Sequence, residues 1–193
     1  AAVGFDFTFG RGGAGNPALL AQLGAPGLAV HTVEPVSAAG AKVSSSRIRE
    51  ALMLGDVALV AGLLRRPYRI SGTVAHGAKR GRTIGFPTAN IEPDGRYVLP
   101  RHGVYAVYVR RGGEIHPAVM NVGVVPTFHG EGGTPKLEAH LLDFSGDLYG
   151  ERLAVEFVAF LRPEMKFSGA EALAAQIRED AEQARRLLAV VRR

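Results

Sequence analysis

The sequence contains no cysteine and no tryptophan, and only 7% of its 193 residues are aromatic. Without cysteine the chain can form no disulfide bond, no thiolate metal site and no cysteine nucleophile. The shortage of aromatic rings weakens any base-stacking surface for single-stranded nucleic acid. The sequence also shows no signal peptide and no apolar run long enough to span a bilayer. These absences predict a cytoplasmic protein without a membrane partner.

The composition that is present fits an ordinary globular protein. The apolar fraction is 47% and the charged fraction is 21%, which disfavours disorder. A chain of 193 residues can form one domain, or one domain with part of another. The net charge of +5 and the pI of about 9.9 suit either a polyphosphate ligand or a nucleic acid. Charge alone therefore does not identify the ligand.

Residues 1–66 predict the end of an α/β domain. The chain opens without methionine, which indicates a start inside a larger protein. Helical and apolar patterns then predict a short helix near residues 17–23, a strand at 28–33, a helix opening at the serines 44–46, and a helix capped by Asp56. Helices that alternate with an apolar strand are typical of α/β proteins.

Residues 67–193 predict a β-barrel followed by a helix. Runs rich in β-branched and aromatic residues predict strands at Tyr68–Ala75, Gly103–Val109, Ala118–Val122, Leu137–Leu142 and Leu153–Leu161. Alternation in the second run predicts one solvent-exposed face. Five or six such strands favour a closed or nearly closed barrel. Ser168 and Glu171 have the spacing of a capping box, which predicts the start of a C-terminal helix.

One glycine pattern is misleading. Gly10, Gly12 and Gly15 fit G-x-G-x-x-G, and Glu34 follows about twenty residues later, as in a dinucleotide-binding fingerprint. The fingerprint requires a buried apolar strand directly before it, whereas Asp6 and Thr8 interrupt the aromatic residues here. We therefore reject a Rossmann-type dinucleotide site.

The segment 72–91 carries the strongest chemical signal. Its glycines permit backbone N–H groups to form a concave anion site, and Lys79, Arg80 and Arg82 add positive charge. Thr88 and Asn90 share one face of an extended segment, so their oxygens suit a hard cation such as Mg²⁺. The simpler alternative is a glycine-rich surface loop with solvated basic residues.

Several motifs, in order, resemble the bacterial bifunctional riboflavin kinase/FMN adenylyltransferases, also called FAD synthetases. The kinase blocks are Gly72-x-Val74, Gly77, Gly81-Arg82-x-Ile84-Gly85-Phe86-Pro87-Thr88-Ala89-Asn90, Gly103–Ala106, Asn121–Gly123, Pro126–Phe128, Leu137–His140, Asp147–Gly150 and Phe160–Glu164. The resemblance implies a mainly β fold with α elements: a six-stranded antiparallel barrel with a C-terminal helix, preceded by the end of an α/β nucleotidyltransferase domain. It implies transfer of the ATP γ-phosphoryl group to the 5′-hydroxyl of riboflavin, giving FMN and ADP.

The resemblance also implies roles for individual residues. We expect Mg²⁺ at Thr88 and Asn90, flavin at Arg162 and Glu164, and Glu138 as the base that accepts the hydroxyl proton. Residues expected at ATP are Gly72, His76, Gly77, Lys79, Arg80, Gly81, Arg82, Gly85, Phe86, Pro87 and Asn121.

The residue pattern alone leaves some of these roles open. Alternation puts Glu138 and His140 on one face of their strand, where Glu138 either is solvated or points into a polar site. His140 is interpreted as structural or solvent-facing. Asn121 is equally consistent with a turn, and Arg162 with a surface position beside Pro163.

The N-terminal motifs resemble the end of the adenylyltransferase domain. Phe5 and Asp6 match its flavin-side loop, and Ser45, Ser46, Arg47 and Arg49 match its Ser-Ser-Thr-x-Ile-Arg motif. Serines at a helix start followed by arginines suit a phosphate, and the simpler alternative is a plain N-cap. No segment matches the family's His-containing nucleotide motif, so we expect no FMN adenylylation by these residues alone. Arg65 stands where the family usually has glycine.

Two rival functions use the same features. One is a flavin- or nucleotide-binding barrel without catalysis, which the presence of Thr88, Asn90 and Glu138 disfavours. The other is a basic barrel that binds nucleic acid, which the lack of clustered aromatic residues disfavours. The sequence leaves the oligomeric state undetermined.

Overall fold

The computed structural model describes residues 1–38, 40–77, 81, 84–125 and 134–191. The chain divides into two compact units, Ala1–Ser45 and Ser46–Arg193. Within the described residues, no helix combines the length and apolar character needed to cross a membrane.

The first unit consists of short elements. Strands β1 (Ala2–Gly4) and β2 (His31–Val33) form a parallel pair, and β3 (Ser37–Ala38) pairs antiparallel with β4 (Ala41–Lys42). Helix α1 (Pro17–Gly24) begins at Asn16, whose side chain accepts a hydrogen bond from the Leu19 N–H.

Two features of this unit bear on the sequence predictions. The strand expected at 28–33 begins only at His31, because the Leu28 N–H donates to the Gly24 carbonyl and so continues the turn after α1. The glycine pattern at 10–15 forms a short 3-10 turn at Arg11–Gly13, closed by a bridge between Phe9 and Gly15. It is not a strand-to-helix turn, in agreement with the rejection of a dinucleotide fingerprint.

Two helices precede the barrel. Helix α2 spans Ser45–Leu54 and helix α3 spans Val57–Leu64. Gly55 separates them with a φ of 82°. As predicted, Asp56 caps α3: its carboxylate accepts a hydrogen bond from the Leu59 N–H at 2.9 Å. Arg65 ends α3 in the left-handed region with a φ of 57°, a conformation that favours glycine.

The predicted six-stranded antiparallel barrel is confirmed. Its strands are β5 (Tyr68–Ala75), β6 (Ala89–Pro93), β7 (Gly103–Arg111), β8 (Glu114–Val125), β9 (Thr134–Leu141) and β10 (Arg152–Arg162). They close in the order β10-β5-β6-β9-β8-β7, which leaves no free sheet edge. Inward-facing side chains such as Ile70, Met120 and Phe157 fill the interior.

The predicted solvent-exposed face of β7 is wrong. Tyr105, Val107 and Val109 fill the barrel, while Val104, Ala106 and Tyr108 form a second apolar cluster with the C-terminal helix α4 (Ala170–Val191). The Tyr108 hydroxyl donates to the Leu188 carbonyl. The C-terminal helix therefore covers the outer face that the alternation assigned to water, and it begins two residues after Ser168.

Candidate active site

A cavity of about 1040 Å³ lies against the outer face of the barrel. Its walls come from β6, β8 and β9, from the residues that follow β10, and from α4. The same alternation that sends Leu137 and Ala139 into the barrel interior leaves Glu138 and His140 on this wall. The cavity is thus a product of barrel register and of helix packing.

Three polar side chains form one row across the wall. Glu138 on β9 pairs in register with Asn90 on β6 and with Asn121 on β8. Directly paired residues of antiparallel strands project from the same face of the sheet. The barrel therefore brings together Asn90, Glu138 and Asn121, which are far apart in sequence, and all three line the cavity.

The Glu138 carboxylate lies within a polar setting. Its Oε2 is 2.9 Å from the Lys136 Nζ, and 24% of the side chain is exposed. The Asn121 Nδ2 donates to Glu164 Oε1 at 3.3 Å, so the second carboxylate of the cavity also has a partner. Of the two positions that alternation left open for Glu138, the structure favours the polar site.

At some of the glycines expected near ATP, a backbone carbonyl oxygen lies where a Cβ atom would stand. A Cβ atom on Gly81 would lie 2.2 Å from the Phe86 carbonyl oxygen, and one on Gly72 would lie 2.2 Å from the Glu92 carbonyl oxygen. Gly85 has a φ of +85°, a conformation that L side chains rarely adopt. Gly77, Gly81 and Phe86 line the cavity, while Gly72 lies within β5.

Among the other residues expected at ATP, His76 is described by the structure. The His76 ring lines the cavity and stacks on Tyr149, with 4.1 Å between ring centroids. Lys79, Arg80 and Arg82, on which the positive charge of the anion site depends, lie outside the described residues, as do Pro126–Phe128.

Thr88 adjoins two spaces at once. It lines the large cavity and also a smaller hollow of about 210 Å³. Pro87 and the residues around Asp147 and Tyr149 line the same hollow. The Asp147–Gly150 block is part of the family resemblance, but no role was predicted for it, because a polar turn between strands carries no separate chemical signal.

Thr88 and Asn90 suit a magnesium ion that takes its other ligands from a bound polyphosphate and from water. Thr88 and Asn90 offer neutral oxygens on one wall. Within the part of the chain that the structure describes, no three His, Asp or Glu side chains gather as a metal cage. Mg²⁺ commonly uses one or two protein ligands together with phosphate oxygens and water, so these residues suit it when a polyphosphate is bound.

Arg162 is largely buried, and is therefore not a surface residue beside Pro163. Only 16% of its side chain is exposed, and its Nη2 lies 2.7 Å from Asp180 Oδ2 on α4. Its Nε donates to Asp180 Oδ1 at 2.9 Å, and its Nη1 donates to the Pro163 carbonyl at 3.0 Å. The side chain of Asp180 is 3% exposed. No role was predicted for Asp180, because in the sequence it is one of several acidic residues on the same helix.

Part of the cavity lining is apolar. The apolar side chains are those of Val104, Val119, Met165, Phe167, Leu173 and Ile177. Val104 and Val119 lie beside the polar row, because they pair in register with Asn121 and His140, whereas the other four residues follow β10 or belong to α4. The cavity therefore combines polar contacts with an apolar surface suited to a flat ring system.

A separate set of predicted residues precedes the barrel in the sequence. Asp6 forms an ion pair with Lys42, and this hydrogen bond keeps the pKa of the Asp6 carboxyl below its usual value. The Lys42 ammonium also lies 4.4 Å from the centre of the Phe5 ring. Ser45, Ser46, Arg47 and Arg49 lie in the first turns of α2, the position predicted for a helix start.

Comparison with known proteins agrees with the resemblance. The family model for riboflavin kinase matches residues 64–188, and the model for FAD synthetase matches residues 1–47. The chain is 41% identical over its full length to a bifunctional riboflavin kinase/FMN adenylyltransferase of Bacillus subtilis, covering 61% of that protein. It is 45% identical to the protein of the same name from Pseudomonas fluorescens, with 97% of this chain and 60% of that protein covered.

A solved structure shares the fold of this chain. A crystal structure described as a macrolide-efflux protein from Streptococcus pneumoniae matches 94% of this chain and 58% of its own, with a TM-score of 0.82 and 36% identity. The chain spans about three fifths of the length of the curated relatives it matches. On the family model and these relatives, the chain belongs to the riboflavin kinase family.

Proposed function

We propose that this chain transfers the γ-phosphoryl group of ATP to the ribityl 5′-hydroxyl of riboflavin, giving FMN and ADP. The observation that carries the proposal is the row of Asn90, Glu138 and Asn121 on the wall of a cavity that also has an apolar lining. A cavity of this kind can hold a polyphosphate and a flat ring system with a carboxylate between them.

The nucleotide occupies the end near Gly77, Gly81 and Thr88. The two glycines expose backbone there, and backbone N–H groups in such turns bind phosphate oxygens. Lys79, Arg80 and Arg82 belong to the same loop by sequence and add the charge that phosphates require. The smaller hollow beyond Thr88, with Asp147 and Tyr149, offers space for the base of the nucleotide.

Mg²⁺ is the proposed cofactor, held through Thr88 Oγ1 and the Asn90 side-chain oxygen. When bound, it would neutralise charge on the phosphate oxygens during transfer. The protein's own contribution is to keep these two oxygens on the same wall as Glu138, which the pairing of β6 with β9 does. Phosphoryl transfer depends chiefly on such alignment and on charge stabilisation.

Glu138 acts as the general base. Its carboxylate accepts the proton of the riboflavin 5′-hydroxyl as that oxygen forms its bond to the γ-phosphorus and the bond from phosphorus to ADP breaks. The Lys136 ammonium, 2.9 Å from Glu138 Oε2, restrains the carboxylate at the cavity wall. The proton therefore leaves on Glu138, and ADP leaves with the bridging oxygen.

The flavin occupies the apolar lining formed by the residues after β10 and by α4. Met165 and Phe167 provide the surface for an isoalloxazine ring, bordered by Arg162 and Glu164. Because Asp180 holds the Arg162 guanidinium and Asn121 holds Glu164, both bordering side chains are fixed before a ligand arrives. Fixed contacts of this kind reduce the entropy that binding must remove.

The test is an assay with riboflavin, ATP and Mg²⁺ in which chromatography separates riboflavin, FMN and FAD. The proposal predicts FMN. Binding of riboflavin and ADP without FMN would favour the non-catalytic barrel, and tight oligonucleotide binding with a steep salt dependence would favour the nucleic-acid-binding barrel. Adenylylation of FMN to FAD is proposed for the whole protein, as its relatives' names suggest.

A further inference from the structure

His140 has no part in the reaction as proposed, yet it lines the same cavity. It lies on β9 two residues after Glu138, on the same face of the strand. Its contacts run away from Glu138, toward the segment that carries Thr88. A role of this contact in nucleotide binding rests on the proposed function.

The histidine is bound to the backbone before Thr88. Its Nδ1 lies 2.8 Å from the Pro87 carbonyl oxygen. A carbonyl oxygen only accepts, so Nδ1 carries the proton and donates it. The ring also meets Phe86 edge to face, with centroids 5.4 Å apart and planes at 76°. His140 thus contacts both residues that precede Thr88.

Residues 86–88 lie outside the hydrogen-bonded strands of the barrel, so contacts other than strand pairing must fix their position. Phe86, Pro87 and Thr88 lie before β6 and belong to no strand. Proline has no N–H to donate, so at Pro87 only the carbonyl can be anchored by the backbone. His140 supplies the donor for that carbonyl from the neighbouring strand β9.

The same segment also fixes the end of the glycine loop. The Phe86 N–H donates to the Gly81 carbonyl at 2.8 Å. A Cβ on Gly81 would lie 3.5 Å from Thr88 Oγ1, so the loop and the Thr88 hydroxyl are neighbours. On the other side the Arg178 guanidinium of α4 lies 5.8 Å from the Phe86 ring centre. Phe86–Thr88 therefore joins loop, barrel and helix.

We infer that His140 is a positioning residue for the nucleotide end of the cavity. Its Nδ1–H fixes the Pro87 carbonyl, and through it the adjacent Thr88 hydroxyl, while its ring holds Phe86 in place. The flavin end lies on other elements, around Met165 and Phe167. Loss of the contact should thus weaken the binding of nucleotide with Mg²⁺ and spare the binding of riboflavin.

Two variants separate the hydrogen bond from the ring. His140→Phe keeps an aromatic ring against Phe86 but removes the donor. His140→Asn removes the ring but keeps an N–H at the position of Nδ1, since both atoms are two bonds from Cβ. His102→Asn is the matched control, because His102 is exposed and lines neither the cavity nor the smaller hollow.

The experiment measures, by calorimetric titration on the same preparations, the affinity for ADP with Mg²⁺ and separately for riboflavin. We expect His140→Phe to weaken ADP binding about tenfold, the value of one lost hydrogen bond, with riboflavin affinity changed less than about twofold. His140→Asn should recover most of the loss, and the KM for ATP should rise more than kcat falls. His102→Asn should match the wild type.

Equal losses for both ligands in His140→Phe would overturn the inference in favour of a purely structural histidine. ADP binding by His140→Phe equal to that of the wild type would overturn it too, as would a His140→Asn variant no better than His140→Phe. A wild-type protein that binds neither ADP nor riboflavin would instead overturn the proposed function, so the two failures are distinguishable.

Discussion

The α-carbon of Gly77 lies against the side-chain amide of Asn90. A Cβ atom at Gly77 would come within 2.1 Å of Asn90 Nδ2 and 2.9 Å of Oδ1, distances that real contacts do not reach. Gly77 begins the loop expected around the ATP phosphates, and Asn90 belongs to the row with Glu138. Gly77 and the cavity wall that carries Asn90 and Glu138 are therefore in contact through a position where no side chain fits.

A methyl group at Gly77 should accordingly displace Asn90 or the loop. We predict that Gly77→Ala weakens ADP binding in the presence of Mg²⁺ by about tenfold or more, the scale of a misplaced contact. Gly113→Ala is the control, since a Cβ there meets nothing within 4 Å. Titration calorimetry measures both; equal ADP affinities for the two variants would contradict the close contact as a functional constraint.

Removal of the proposed base should act on turnover alone. Glu138→Gln keeps the shape of the side chain but cannot accept the hydroxyl proton, so kcat should fall by about 10²–10⁴-fold while ADP affinity stays near that of the wild type. The exposed Glu114 on β8, changed in the same way, is the matched control. Steady-state kinetics decides the matter, and an unchanged kcat in Glu138→Gln removes Glu138 from the mechanism.

The Thr88 hydroxyl should matter to nucleotide with Mg²⁺ rather than to flavin. Thr88→Ala should weaken ADP binding with Mg²⁺ by about tenfold, because one oxygen ligand is lost, and Thr88→Ser should retain most of the affinity. ADP titrations with and without Mg²⁺, next to riboflavin titrations, measure the effect. Parallel losses for riboflavin and ADP would indicate misfolding instead of a lost ligand.

Glu156 provides a pH-dependent contribution to stability, away from the cavity. Its carboxylate lies buried on the outer face of β10 and accepts from the Arg110 Nε at 2.8 Å and from Arg69. Burial raises the pKa of Glu156, but hydrogen bonds from Arg110 and Arg69 outweigh it and leave the pKa below the usual 4.5. A lowered pKa in the folded state means that the folded protein binds fewer protons than the unfolded chain.

The stabilisation is therefore complete above the unfolded-state pKa and disappears as the pH falls through the folded-state value. Glu156→Gln should lower the free energy of unfolding by about 1–3 kcal/mol at pH 7 and by much less at pH 3. Urea unfolding at both pH values measures the difference. A gap that is the same at pH 3 as at pH 7 would mean that the ion pairs with Arg69 and Arg110 contribute nothing.

Local patterns predicted much of the barrel. Strand β5 begins and ends where its β-branched run does, and the alternation of β9 placed Glu138 and His140 on one face as the structure has them. Strand β6 was not predicted, although Thr88 just before it and Asn90 within it were expected in an extended segment, because a five-residue strand containing Asn90, Glu92 and Pro93 has little apolar signal.

The sequence could not predict which side chains tertiary packing brings into contact. The outer face of β7 alternates as if it met water, and only the docking of α4 over Val104 and Tyr108 buries it. Asp180 is one acid among several on its helix until Arg162 is found beside it. The contact of His140 with the Pro87 carbonyl joins residues 53 positions apart, which no local pattern records.

The central claim is that this cavity moves a phosphoryl group from ATP to riboflavin. The most direct measurement incubates the protein with riboflavin, Mg²⁺ and ATP labelled in the γ-phosphoryl group, and follows the label and the ADP formed. The account predicts label in FMN in equal amount to ADP, and its loss in Glu138→Gln. Label released only as inorganic phosphate, or ATP left unconsumed while both substrates bind, would contradict it.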